Sequence, residues 1–178
     1  MRLFRRSRNT AVIDRLYGAI VSASRHPALY RDFQVPDDFE GRFECLSLHA
    51  ILVLRRLNNF APPGPDMAQA LVDTVFKHFD QTLREMGVGD TSVPKRMKTL
   101  AEAFLGRSAA YEAAIRSQPE SLAAALARNI YAGHENGLAL ARYVAVITAA
   151  FDEAPLQVFI DGAIPFPDPA AVATELTN

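Results

Sequence analysis

Ten consecutive residues, Cys45–Leu54 (CLSLHAILVL), are apolar on nearly every side of a helix. A helix that is hydrophobic all round belongs inside, so this one predicts a centre around which the remaining chain must wrap. Val35-Pro36 precedes it, Asp37 is positioned to cap it with Glu40 three residues on, and Asn58-Asn59 closes it. The wrapping is predicted to be helical. Ala, Leu, Glu, Lys, Arg, Gln and Met dominate, Gly and Pro punctuate segment ends, and no stretch alternates long enough to make a strand.

Five further helices follow from apolar period and punctuation. One runs from Asn9 to Ser24, burying Val12, Leu16, Ala19 and Ile20, and after His26-Pro27 a short turn carries Leu29, Tyr30 and Phe33. Beyond Ala61-Pro62-Pro63-Gly64, Asp66 is the expected cap of a helix ending at Gly87. Pro94 opens the next, with Met97, Leu100, Ala101, Phe104, Ser108, Tyr111 and Ile115 along one side. Pro119 to Gly133 and Gly137 to Phe151 supply the last two; Pro155–Ile160 forms a short turn of helix. The expected fold is all-α, a compact single-domain bundle of six to seven helices. Its plan is a basic flexible N-terminus (1–8), a helical domain (9–161) and an extended acidic tail (162–178).

At 178 residues, 49% hydrophobic and 22% charged, the chain has the length of one domain and the apolar content for a core. The formal charge of −1 conceals a polarity. Residues 1–25 carry six arginines against Asp14 alone, 6 − 1 = +5, whereas the chain from Asp152 onward has acids and no Lys or Arg. Arg2, Arg5, Arg6 and Arg8 either contact a polyanion, such as a membrane surface, or simply solvate the terminus. No apolar run approaches the roughly 18 residues of a membrane span, and no signal-type core follows the basic start. With one cysteine and no disulfide framework, the reading is a soluble, unsecreted, cytoplasmic protein, with peripheral attachment to the inner face of the membrane as an option.

Catalytic and metal constellations do not emerge. His26, His49, His78 and His134 form neither His-Glu-x-x-His nor a Glu-x-x-His pair. His49 reads as a core histidine with one hydrogen-bond partner and Cys45 as a buried thiol without a base. Gly87-Val88-Gly89 lacks the strand and third glycine of a phosphate loop. The expectation is no enzyme, no metal and no cofactor.

The informative segment is 83–111. With Met97 at 0° and about 100° per residue, Arg96 and Arg107 fall near 260–280° on one flank of the apolar stripe. Lys95 and Lys98 fall near 100–160°, and Gly106 near 180°, where a glycine costs about 1 kcal/mol relative to alanine without a packing reason. Two readings stand: a solvated face with a tolerated glycine, or a surface that another helix approaches closely.

The segment resembles the ubiquinol–cytochrome c chaperone family, which assists assembly of the cytochrome bc1 complex. Leu83-Arg84-Glu85-Met86-Gly87, Asp90, Val93, Lys95-Arg96-Met97-Lys98, Phe104, Gly106-Arg107 and Tyr111 carry the likeness. Upstream, Tyr30, Phe33, Pro36-Asp37, Gly41-Arg42-Phe43-Glu44 and Leu54-Arg55-Arg56-Leu57 also look like the family, over roughly residues 10–150. The resemblance, closest in form to a bacterial branch of a respiratory assembly factor, implies a non-enzymatic all-helical chaperone that binds newly made cytochrome b or a similar hydrophobic membrane subunit. In mitochondrial relatives it also implies a small partner protein and a place near the ribosome exit region. Carried over, the client-binding residues are Arg84, Glu85, Met86, Lys95, Arg96, Lys98, Phe104, Gly106, Arg107 and Tyr111.

Physically, such a role needs an apolar groove with polar rims, and an incompletely covered stripe at 95–111 is the expected groove, with Met86, Phe104 and Tyr111 as anchors. A different class, a small ribosome- or RNA-binding helical protein using the basic head, is disfavoured by the pI near 6.4, and DNA is not an expected partner. An enzyme acting on a lipid or quinone lacks an acid–base pair.

Overall fold

The structure is a computed structural model that describes the backbone of residues 2–177 and the side chains of residues 10–176. The described residues form nine helices and no strand: α1 (Arg2–Ser24), α2 (Pro27–Arg31), α3 (Phe39–Asn58), α4 (Gly64–Glu85), α5 (Val93–Ile115), α6 (Pro119–Asn129), α7 (Leu138–Glu153), α8 (Leu156–Asp161) and α9 (Pro169–Thr177). Six are long; α2 and α8 are single turns where the sequence predicts them, and α9 lies in the tail.

Helix α3 is the axis of the bundle and touches α1, α4, α5 and α7. From Glu44 to Leu54 every residue except Leu46 is buried, as its all-round apolarity requires. Each fully buried Leu, Ile or Val there stabilises the fold by about 1.5–3 kcal/mol. His49 is the polar link inside this core. Its Nδ1–H donates to the Cys45 carbonyl (2.8 Å), and its Nε2 lies 3.3 Å from the Tyr143 hydroxyl of α7. Burial pushes its pKa down to about 4, so the ring is neutral, the core histidine the sequence suggests. The Cys45 thiol, also buried, is pushed up to about 12.

Several boundaries differ from the sequence reading, each for a local reason. Helix α1 begins at Arg2, so the backbone of the basic head continues the helix; the side chains of Arg2, Arg5, Arg6 and Arg8 lie outside the described residues. The cap of α3 is Asp38, whose carboxylate accepts from the Gly41 N–H at 2.7 Å, while Asp37 pairs with Arg42 at 2.8 Å. The chain turns so tightly here that a Cβ on Gly41 would collide with the Pro36 carbonyl. Helix α4 starts at Gly64, two residues before Asp66. Helix α6 stops at Asn129 rather than running to Gly133: Ala132 takes a positive φ and the Tyr131 hydroxyl turns inward to the Phe33 carbonyl (2.6 Å).

The tail also departs from expectation. Only its first part is extended, placing Phe166 against Phe151 and His49 (ring centroids 5.2 and 5.4 Å). Asp168 then accepts from the Ala170 N–H (2.8 Å), and α9 begins at Pro169, where proline suits a first turn. Alanine-rich composition and burial of Val172 against the core favour a helix over an extended strand.

Candidate functional site

Helix α5 lies across α3 and α4, and its anchor is charged. Arg107 donates through Nε (3.1 and 3.0 Å to the two carboxylate oxygens) and Nη2 (2.7 Å) to Glu44 on α3. The Glu44 side chain is 8% exposed and that of Arg107 25%. Burial raises the Glu44 pKa above the ordinary carboxylate range, with Arg107 opposing that shift; the carboxylate in turn raises the pKa of the guanidinium. Beside this pair Phe104 is buried, edge-on to Phe76 of α4 (5.5 Å), and Tyr111 is fully buried.

Between the three helices the surface opens. A depression of about 400 Å³ is lined by Phe39, Phe43 and Glu44 of α3, Leu83 of α4, and Arg96, Thr99, Leu100 and Ala103 of α5. It adjoins a second of about 240 Å³ that reaches Tyr17 and Arg25 on the α1 side, with Phe39, Phe43 and Leu100 common to both. Phe43 rests on Phe79 (5.1 Å), which fixes the floor. The result is one apolar cleft. Arg25 and Arg96 stand exposed at its rims with no carboxylate partner among the described residues, alongside the Arg42–Asp37 pair and Glu40.

The cleft lies on the flank of α5 that carries Arg96 and Arg107, and of the apolar stripe it takes in Leu100. Phe104 and Tyr111, expected as client anchors, are corrected to core residues, buried where α5 packs against α3, α4 and α6. Arg107 is likewise occupied by Glu44. Arg84 is held by Asp80 (2.7 Å) and Asp90, tying the turn after α4 back onto that helix, and Glu85 accepts from Gln81 (2.8 Å). Lys98 sits 3.8 Å from Glu102 on the far side of α5, where Lys95 and Gly106 are also exposed. Met86 is 56% exposed at the end of α4. Of the expected residues, therefore, Arg96 alone lines the cleft.

Sequence reasoning missed the floor. Leu46 and Leu100 read as ordinary core and Phe39 and Ala103 carry no signal of their own; the helical register of α3 against α5 leaves all four partly open. Leu105, 65% exposed on α5, was also legible as a leucine off the apolar stripe. Among the described residues no cluster of three or more His, Cys, Asp or Glu could hold a metal ion, and no helix is long and apolar enough to cross a membrane.

Residues 31–166 match the family described as Ubiquinol-cytochrome C chaperone. The chain is similar to the ubiquinol-cytochrome-c reductase complex assembly factor 1 of Xenopus laevis, 25% identical over 116 residues that make up 65% of this chain and 58% of that protein. It is 27% identical to the mouse protein of that name over 117 residues, 66% of this chain and 40% of the relative. It thus spans less than two thirds of the length of these relatives. Among solved structures it is similar to the Cbp3 homolog from Brucella abortus, with a TM-score of 0.84 and 41% identity, covering 95% of this chain and 97% of that one.

Proposed function

The chain belongs to the ubiquinol–cytochrome c chaperone family, and from that premise we propose that it is a non-catalytic assembly chaperone for the ubiquinol–cytochrome c reductase (bc1) complex, holding a newly made hydrophobic subunit, cytochrome b, in the α3–α4–α5 cleft. The observation that carries this reading is the cleft itself: an aromatic floor left open by the fold, with unpaired guanidinium groups on its rim. A membrane-destined helix exposed to water aggregates unless its apolar side chains are covered. Each one seated on Phe39, Phe43 and Leu100 gains up to about 1.5–3 kcal/mol, enough for capture and small enough for release. Arg25 and Arg96 meet acidic loop residues or lipid headgroups at the margin. Met86, Lys95, Lys98 and Gly106 lie outside this cleft, on surface that a longer client segment reaches next. Arg2, Arg5, Arg6 and Arg8 add attraction to anionic membrane of about 1 kcal/mol per cation.

The test is complementation. A strain lacking the gene is expected to lose haem-loaded cytochrome b and bc1 activity, and the unaltered gene to restore both. Arg96→Glu combined with Leu100→Asp should fold yet fail to rescue, whereas Arg128→Glu, exposed on α6 away from the cleft, should rescue. Full rescue by the cleft variant moves the client elsewhere; no bc1 defect in the deletion strain ends the reading. Vesicle flotation with residues 2–8 deleted should show weaker binding to anionic lipid at low salt, and unchanged binding removes the membrane role.

A further inference from the structure

Helix α7 has three charged residues in sixteen, Arg142, Asp152 and Glu153, yet one of its faces is on the outside. Val146 is 41% exposed at the edge of it, Leu138 is 51% exposed, and Ala145 and Ala149 are exposed in line with Leu138. This face forms one side of an open, mostly apolar groove of about 660 Å³; Ile115 of α5 and Pro119 and Leu122 of α6 form the other. The groove shares no lining residue with the α3–α4–α5 cleft. Arg55 fixes its orientation: it reaches Glu112 of α5 (3.2 Å) and Asp152 of α7 (3.8 Å), so the ends of α5 and α7 lie together at one end of the groove and Leu138 at the other.

The charges on this face suit a second copy of the same face running the opposite way. A two-fold interface requires that what one residue meets, its counterpart meets in return. With Leu138 at 0° and about 100° per residue, Ala145 and Ala149 fall within about 20° of it, and Arg142 and Glu153 near 40° and 60°, on one edge. Arg142 lies as far before the point midway between Ile147 and Thr148 as Glu153 lies after it. An antiparallel pair centred there therefore sets Arg142 of one copy level with Glu153 of the other, on the same edge, twice. Neither has an ion-pair partner within its own chain among the described residues, unlike Asp152. The alanines at the crossing let the two backbones approach, and Leu138 reaches the end of the opposite groove near Ile115 and Pro119.

We propose that this chain forms a two-fold dimer through α7, with antiparallel helices crossing at Ala145 and Ala149, Leu138 of each copy seated in the other's groove, and Arg142 paired with Glu153 of the second copy. The occupant is another molecule of this chain because Arg142 and Glu153, exposed and opposite in charge, lie on one edge and bracket the exposed Ala145 and Ala149 almost symmetrically, so that a single two-fold pairing brings together both ion pairs and both small-residue faces.

Sedimentation of the full chain over a concentration series should show a dimer that weakens with salt. Arg142→Glu and Glu153→Arg should each weaken it by about tenfold or more, and the double variant should recover it to within about threefold, with helical content unchanged. Ala149→Cys, exposed on the facing side close to the axis and with Cys45 buried, should form an intermolecular disulfide under mild oxidation. A monomer up to about 100 µM overturns the proposal. So does a dimer that both single reversals leave intact, or one that the double variant does not restore.

Discussion

Arg107 on α5 clamps Glu44 on α3 through three donor–acceptor contacts of 2.7–3.1 Å, with only 8% of the carboxylate side chain exposed. The pair joins two helices whose separation leaves the cleft open beside it. An arginine that reads from sequence as a surface cation is therefore part of the fold, and this decides what its replacement does.

Arg107→Ala strands a buried carboxylate and is expected to lower stability by about 3 kcal/mol at pH 8. Glu44→Gln, which keeps the shape and loses one charge, should cost less. The sign of the pH dependence follows from the direction of the Glu44 shift. A carboxyl whose pKa is raised by folding is destabilised when ionised and relieved as it takes up a proton, so the Arg107→Ala deficit should shrink toward pH 5. Urea unfolding of both variants across pH checks this; a deficit under about 0.5 kcal/mol would make the pair a surface contact.

His49 predicts the opposite dependence. Its folded pKa of about 4 lies below the ordinary 6.5, so the unfolded chain binds the proton first. The neutral ring's contribution is whole above pH 6.5 and is lost as pH falls toward 4, amounting to about 3 kcal/mol over that window. His49→Leu should lower stability at pH 7, where the links to Cys45 and Tyr143 are lost, and flatten this acid slope. Denaturant midpoints measured at half-unit pH intervals test it, and an unchanged slope would place the proton elsewhere.

Gly106 is exposed, mid-helix, and a Cβ added there meets nothing within 4 Å. Gly106→Ala is expected to stabilise the chain by about 0.5–1 kcal/mol through helix propensity alone. Thermal melts read the gain directly. If Gly106→Leu folds equally well yet fails in bc1 complementation, the outer face of α5 joins the cleft as a client surface.

The helices were legible because their signals are local. The apolar run Cys45–Leu54 demanded a buried axis, and proline and glycine punctuation placed the five other long helices around it to within a few residues, apart from the start of α1, which lies at Arg2 rather than Asn9. His49 as a core histidine followed from the same run. The misplacements, Asp37 for Asp38 and an extended tail for α9, arose where a single side-chain hydrogen bond sets a boundary, which periodicity does not register.

The candidate site was legible only in part. One flank of α5 was marked by Arg96 and Arg107, and that flank is where the cleft opens. Which arginine is spent on Glu44, that Phe104 and Tyr111 are covered, and that Phe39 and Phe43 form a floor depend on the register of α5 against α3, residues some sixty positions apart. Sequence by itself determined what each helix is and which side of it is greasy, since both depend on neighbours within a turn. Tertiary structure alone decided which greasy sides meet and which stay open, because burial belongs to pairs of surfaces and not to any one of them.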